Sequence, residues 1–388
     1  MPAVPLSSTN RHDTLPLEPA ATSFSVGPSH LRNLLQHASR QQQRTDFGLD
    51  LRGIVWLEHL NLVVGSMDTA KTFYVDFLGL TVDAGNAKHF NLGQQQVRLP
   101  SLCQPCVLID WLDQFHLAAT DDPPQRVTGS ICLTVPSLEN IRRRAQAAQN
   151  DLKGTLFSIR EYDNLPKDSH DNLTDKMMTV TCPWGNTFHL FDISIDDDHT
   201  NAQPSSPQKM VNLHLEGGSY GSHRMAVRGG PGIRAVEISC KQGSVDAIAR
   251  FYETSLGCTV VKEKPGDSST ETKAIAVSVG PGVHLVFVEN EFVSNQDFDM
   301  MNGVHACIYV AEFKNMYTTL QSHGLIWTNP RFTHLDSCDT WEEAFASRTF
   351  RFKDILDIDT GEKMLELEHE TRPMMHGQYL KVPRYIPN

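Results

Sequence analysis

Four short stretches of alternating apolar and polar residues recur along this chain, and their spacing limits the fold more than any motif does. Equivalent positions on them are His59, Ser130, Ala235 and His305, at intervals of 71, 105 and 70 residues. Two near-equal steps flank a longer one, which predicts a duplicated bimodule with a connector in its middle. The first repeat shows the unit most plainly. Leu60, Leu62 and Val64 share one face and His59, Asn61 and Val63 the other, the period of a half-buried strand. Gly65–Asp68 breaks it, with Asp68 as the expected cap. Ala70, Phe73, Phe77 and Leu78 then recur at helical spacing until Gly79 stops the helix. The same strand, helix and Leu-Gly return at Ile233–Ser239, Val245–Leu256 and Leu256-Gly257.

Each module reads as strand, helix, then three short strands. In module one the later segments are read as Leu80–Ala84, His89–Leu92 and Gln95–Leu99, with Gly93 as a turn. The expected organisation is a polar tail over residues 1–50, a first bimodule over 51–194, a linker over 195–230, a second bimodule over 231–372 and a C-terminal tail over 373–388. A short helix is expected near His30–Gln43. The connector is rich in Asp, Ser, Pro and Gly, a composition that favours an extended link over a packed core.

Composition narrows the function. Hydrophobic residues make up 40% of the 388-residue chain, enough for ordinary cores. The formal net charge of −12, with no block of Lys and Arg, argues against nucleic acid or an anionic membrane as partner. No apolar run approaches the roughly 20 residues a membrane span needs. The N-terminus lacks the pattern of a secretory signal, so a cytoplasmic location is expected, with an organelle transit segment as the alternative reading of residues 1–45. Eight cysteines are scattered, and reduced thiols are expected. The lone Cys103-Gln-Pro-Cys106 has neither a second pair for zinc nor a helix start for redox chemistry, and reads as two loop thiols.

His59-Leu60-Asn61-Leu62 with Phe73-Tyr74 and Leu78-Gly79, Phe251-Tyr252 with Leu256-Gly257, Gly303-Val304-His305, and the closing turns Pro183-Trp184-Gly185-Asn186 and Thr360-Gly361-Glu362 together resemble the vicinal oxygen chelate superfamily. That superfamily includes glyoxalase I, the fosfomycin- and bleomycin-resistance proteins and the extradiol dioxygenases. The resemblance covers about residues 54–370. It implies an α+β fold of four βαβββ modules paired into two curled eight-stranded sheets, each enclosing a cup. It speaks to fold more than to reaction, because the superfamily hosts many chemistries.

The resemblance also implies a divalent metal, Fe, Mn, Ni or Zn, held by first and last strands of paired modules, and a small-molecule substrate. Carried over by position, the first-strand sites are His59, Ser130, Ala235 and His305, and the last-strand sites are Arg98, His189, His284 and Glu366. If module one pairs with four, as in fused glyoxalase-type chains, one cup holds His59, Arg98, His305 and Glu366. If three pairs with four, as in extradiol dioxygenases, it holds His284, His305 and Glu366 with Glu237 nearby. Both pairings share His305 and Glu366, and both leave the second cup a poor metal site. Arg98 departs from the glyoxalase pattern, which has a carboxylate there; its fork suits an anionic substrate instead. The extradiol signature of Tyr and Asp-Pro around the last ligand is absent. Asn61, Cys307, Tyr309 and Glu237 point inward by alternation, with Tyr309 a candidate proton donor beside Glu366 or else cup lining, and Arg98, Asn61 and Glu237 the expected substrate contacts. The expectation is a lyase, isomerase or dioxygenase, monomeric or homodimeric; the alternative is a metal-free ligand-binding protein of the resistance type.

Overall fold

The computed structural model describes residues 51–83, 86–98, 108–135, 137–162, 177–192, 232–262, 274–280 and 283–379. The tail with its expected helix at 30–43, the Cys103/Cys106 pair, the connector at 195–230 and residues 380–388 lie outside the described residues.

Strand β1 (Ile54–Val64) opens module one. Helix α1 (Met67–Lys71) follows, capped by the Ser66 hydroxyl rather than by Asp68, which sits in the first turn. It runs on as a π-helical turn, Thr72–Phe77, and the same widening recurs in module three, where α3 (Val245–Arg250) continues into Phe251–Ser255. In each module the wide turn carries an adjacent aromatic pair, Phe73-Tyr74 and Phe251-Tyr252, fully buried against the strands. Gly79 and Gly257 end both units at φ +82° and +67°, a backbone that favours glycine.

The rest of module one is β2 (Thr81–Asp83), β3 (Asn86–Arg98) and β4 (Leu108–Ala119). The expected break at Gly93 is a register shift within one long strand, not a turn. The last strand of the module is therefore β4, and Arg98 ends β3. Module two contributes β5 (Ser130–Val135), α2 (Leu138–Asp151), β6 (Ser158–Tyr162), β7 (Met177–Thr181) and β8 (Thr187–Asp192). Module three contributes β9 (Gly232–Cys240), β10 (Val260–Lys262), β11 (Ala274–Ser278) and β12 (His284–Glu289). Helix α4 (Asn295–Met301) leads into module four: β13 (His305–Val310), α5 (Phe313–Ser322), short helices α6 (Thr333–Asp336) and α7 (Trp341–Ser347), then β14 (Phe350–Leu356) and β15 (Lys363–Pro373).

Two sheets result. One has the order β14-β15-β13-β1-β4-β3-β2, the other β10-β11-β12-β9-β5-β8-β7-β6. Module one therefore pairs with module four, through antiparallel β1 and β13, and module two with module three, through β5 and β9. This is the paired βαβββ arrangement that the resemblance implies, with one difference. The outer sheet has seven strands among the described residues, because module four places α6 and α7 where the other modules have a second strand.

The two faces of each sheet divide the residues. Helices cover one face, where a continuous core runs through Leu60, Leu62, Phe73, Ile131, Leu133, Phe188, Ile238, Leu285 and Ile308. The opposite face forms the cup. In the inner sheet it holds a separate apolar cluster that includes Cys132, Met177, Phe191, Ala235 and Val286. No described helix is long and apolar enough to cross a membrane.

Candidate metal centre

The strand pairings put four side chains in the outer cup by one rule. β1 runs parallel to β4 with His59 opposite Gln114, and two residues further along β4 is His116. β13 runs parallel to β15 with His305 opposite Glu368, and two residues further is Glu370. The two halves are thus related as His59/His116 and His305/Glu370. Of these, His59, His305 and Glu370 form a buried group whose ligand atoms all lie within 4.8 Å of one another. His305 Nε2 is 3.5 Å from Glu370 Oε2, and the His59 ring centroid is 5.7 Å from that of His305 and 5.3 Å from that of His116.

A β-bulge builds the next layer. Leu57 pairs with Ile308 and His59 with Cys307, so Glu58 is the extra residue and lies on the cup side with His59. Its carboxylate collects four donors: His59 Nδ1 at 3.1 Å, Tyr309 Oη at 2.7 Å, Arg372 Nη1 at 2.7 Å and Cys307 Sγ at 3.3 Å. Burial pushes the Glu58 carboxyl up, but Arg372, helped by His59 and Tyr309, wins and brings it down to about 2.

Glu370 is gripped from both sides. Arg372 Nη2 meets Oε1, and Arg351 Nη2 donates to Oε2 at 2.7 Å. Burial raises its pKa, yet the two guanidiniums hold it well below the usual carboxylate range. Arg351 is itself pinned by Asp336 at 2.8 and 3.0 Å and by Glu368 at 2.8 Å, with its plane over the Phe332 ring. Asp336 and Phe332 belong to the stretch that replaces the missing strand, so the exchange of strand for helices supplies the arginine clamp. Burial drives the His305 pKa well below its ordinary value, more than the Glu370 charge raises it; its imidazole is neutral at pH 7.

The electrostatics and donor set fit a divalent cation. Four buried or half-buried carboxylates, Glu58, Asp336, Glu368 and Glu370, face two guanidiniums, Arg351 and Arg372, leaving two formal negative charges. Two neutral imidazoles and one carboxylate suit Fe(II), Mn, Ni or Zn, and a carboxylate on the far nitrogen of a ligating histidine is the usual support for such a site.

Of the residues proposed from sequence, the structure brings His59, His305 and Tyr309 into this cup, with Asn61 on β1 opposite His305. Glu366 is not there. It lies toward the open end of the β14–β15 hairpin, bonded to Lys353 at 2.9 Å and Lys363 at 2.7 Å; burial raises its carboxyl, but those two lysines lower it. A period of two places Glu366, Glu368 and Glu370 on one face and cannot choose among them; the register against β13 does. His284 and Glu237 sit in the inner sheet, in the other cup. Arg98 is on β3, not on a last strand, and the description of its side chain lies outside the described residues.

Sequence reasoning missed Glu58, His116, Arg351, Glu370 and Arg372. The alternation Glu368, Glu370 and Arg372 along the last strand was the available signal for two of them. Glu58 needed the bulge, which leaves no trace in the periodicity.

No protein-family profile and no curated protein matches the chain. Among solved structures it overlays on glyoxalase I from Zea mays at 12% identity, covering 81% of this chain and 92% of that one with a TM-score of 0.43. The cppA protein from Streptococcus pneumoniae overlays at 12% identity, 82% and 98% coverage and a TM-score of 0.38. A variant of homoprotocatechuate 2,3-dioxygenase from B. fuscum does so at 15% identity, 86% and 78% coverage and a TM-score of 0.23. Overlaps this loose say nothing about reaction or substrate, which rest on the side chains alone.

Proposed function

We propose that the chain is a metal-dependent enzyme of the vicinal oxygen chelate type, with His59, His305 and Glu370 as the ligands. The convergence of two imidazoles and one acid from three different strands carries this reading. The substrate is a small molecule with two neighbouring oxygens, and the reaction is of the dioxygenase type. A bound metal of this ligand set supplies Lewis-acid polarisation together with open coordination positions.

The chain's own residues do the rest. Glu58 accepts from His59 Nδ1, which leaves the Nε2 lone pair for the metal. Tyr309 and Arg372 fix the Glu58 carboxylate, so Tyr309 holds the support for a ligand instead of serving as a proton donor beside Glu366. Arg351 and Arg372 orient Glu370 from opposite sides. The segment after β15 turns back over this end of the cup, where the Tyr379 ring is 4.8 Å and the His376 ring 6.3 Å from Tyr309, and restricts water there. A lyase or isomerase reaction is the second reading, favoured by His116: its place beside His59 would extend the set to four protein ligands.

Elemental analysis tests the assignment. Wild-type protein, purified gently and reconstituted in turn with Fe(II), Mn, Ni and Zn, is expected to hold about one metal per chain. His305→Ala and Glu370→Ala lose it, while Glu366→Ala keeps it. Wild-type protein that retains none of the four metals would overturn the proposal in favour of a metal-free binding protein.

A further inference from the structure

The inner cup obeys the same register rule, so its contents can be compared position by position with the outer one. Ser130 lies opposite Thr187 and Ala235 opposite His284; two residues further are His189 and Val286. The set His59, His116, His305, Glu370 therefore becomes Ala235, Val286, Ser130, His189. Three of four ligand positions are lost, and no metal-binding group occurs in this cup among the described residues. A bulge recurs at the same place: Cys132 pairs with Ala235 and Leu133 with Ile233, so Arg234 is the extra residue where the outer cup has Glu58. The charge at this position is inverted.

Three observations show that this cup is more than a filled second core. Arg234 is a buried cation at 3% exposure, donating to the Ile233 carbonyl at 3.3 Å and lying close enough to His284 to depress its pKa further than burial alone does. His189 and His284 are both more than nine-tenths buried, and one ring nitrogen on each, Nε2 of His189 and Nδ1 of His284, has no hydrogen-bond partner among the described residues. A buried nitrogen left without a partner is unfavourable, so two in one cup call for a ligand or water to answer them. His189 Nδ1 is bonded to Thr179 at 2.9 Å, which fixes the orientation of a ring that stands at the register position Glu370 has in the outer cup. Around these groups the wall is apolar, with Met177, Phe191, Ala235 and Val286. The buried acid Glu237 lies on the same cup face, one step along β9 beyond Ala235 and away from Arg234, and accepts from the Ser130 hydroxyl at 2.8 Å.

We infer that the inner cup is a metal-free binding site for a small carboxylic acid with an apolar body. The carboxylate lies at the Arg234 and His284 end, a second oxygen or the carboxylate's far edge meets His189 Nε2, and the body packs on Met177, Ala235 and Val286. This site is independent of the metal centre proposed above and survives if that proposal fails.

Fluorobenzoate, titrated into the full-length chain and followed by fluorine NMR, tests it. Saturable binding is expected at a Kd on the order of 1 mM or tighter. It persists in His305→Ala, weakens roughly tenfold in Arg234→Met and in His189→Phe, and is not reproduced by fluorobenzyl alcohol. Arg234→Met must retain the wild-type circular dichroism melt to be used; His189→Phe serves if it does not. No saturable binding to the wild type, binding unchanged in the usable variant, or binding abolished by His305→Ala would each overturn the inference.

Discussion

Replacing Arg351 by Met tests whether the clamp on Glu370 is built as described. Arg351 is 3% exposed and makes four hydrogen bonds of 2.7–3.0 Å to three carboxylates, Asp336, Glu368 and Glu370. Methionine fills much of the volume, so the change mainly removes the cation. It leaves three acids in a half-dry pocket with Asn329 as the remaining donor to Glu368. Breaking a buried pair from one side costs about 3–5 kcal/mol, because the partner charge is left uncompensated. The three acids relieve part of this by taking up a proton, so the loss is largest at pH 8 and smaller at pH 5. Urea unfolding followed by tryptophan fluorescence reads it, since Trp56, Trp327 and Trp341 all belong to this sheet and its insert. A loss below about 1 kcal/mol at pH 8 would refute the clamp, as it would mean the carboxylates are hydrated rather than held by Arg351.

His189 and His284 give a pH dependence in the other sheet. Burial lowers both to about 4 from 6.5, so between those values the unfolded chain binds protons that the folded chain refuses. Stability is unaffected above pH 6.5 and falls as pH drops toward 4, by roughly 3 kcal/mol for each histidine; His284→Phe should flatten the urea midpoint over that window. Gly257→Ala should destabilise by about 1–2 kcal/mol in the same assay, because its φ of +67° disfavours a side chain and a Cβ would meet the Arg52 carbonyl at 2.7 Å. Phe73→Ala, which empties a fully buried site against Tyr74, Phe77 and Phe188, should cost about 3–5 kcal/mol.

The fold was legible because repetition survives where motifs fade. The spacing of four alternating first strands marked the modules and placed His59 and His305 at corresponding positions. The rest was lost to features that a period of two cannot encode. Gly93 looked like a turn and is a bend within β3, which hid β4 and with it His116. Glu366 and Glu370 share parity, and only the pairing of β15 with β13 separates them. The bulge at Glu58 reverses one residue's side without altering its neighbours. The choice of partner for module four depends on contacts between segments far apart in sequence, and residues 59 and 305 could have met in neither cup as easily as in one.

The nesting of the modules has a consequence for synthesis. The inner sheet is a contiguous stretch that can close as soon as it leaves the ribosome, whereas Glu58 must wait for Arg372, 314 residues later. At 5–20 residues per second that is on the order of 15–60 s. Throughout it β1, a largely apolar strand, has an unsatisfied backbone on the side that β13 will occupy. The newborn chain thus carries an apolar strand with one open edge early and covers that edge late.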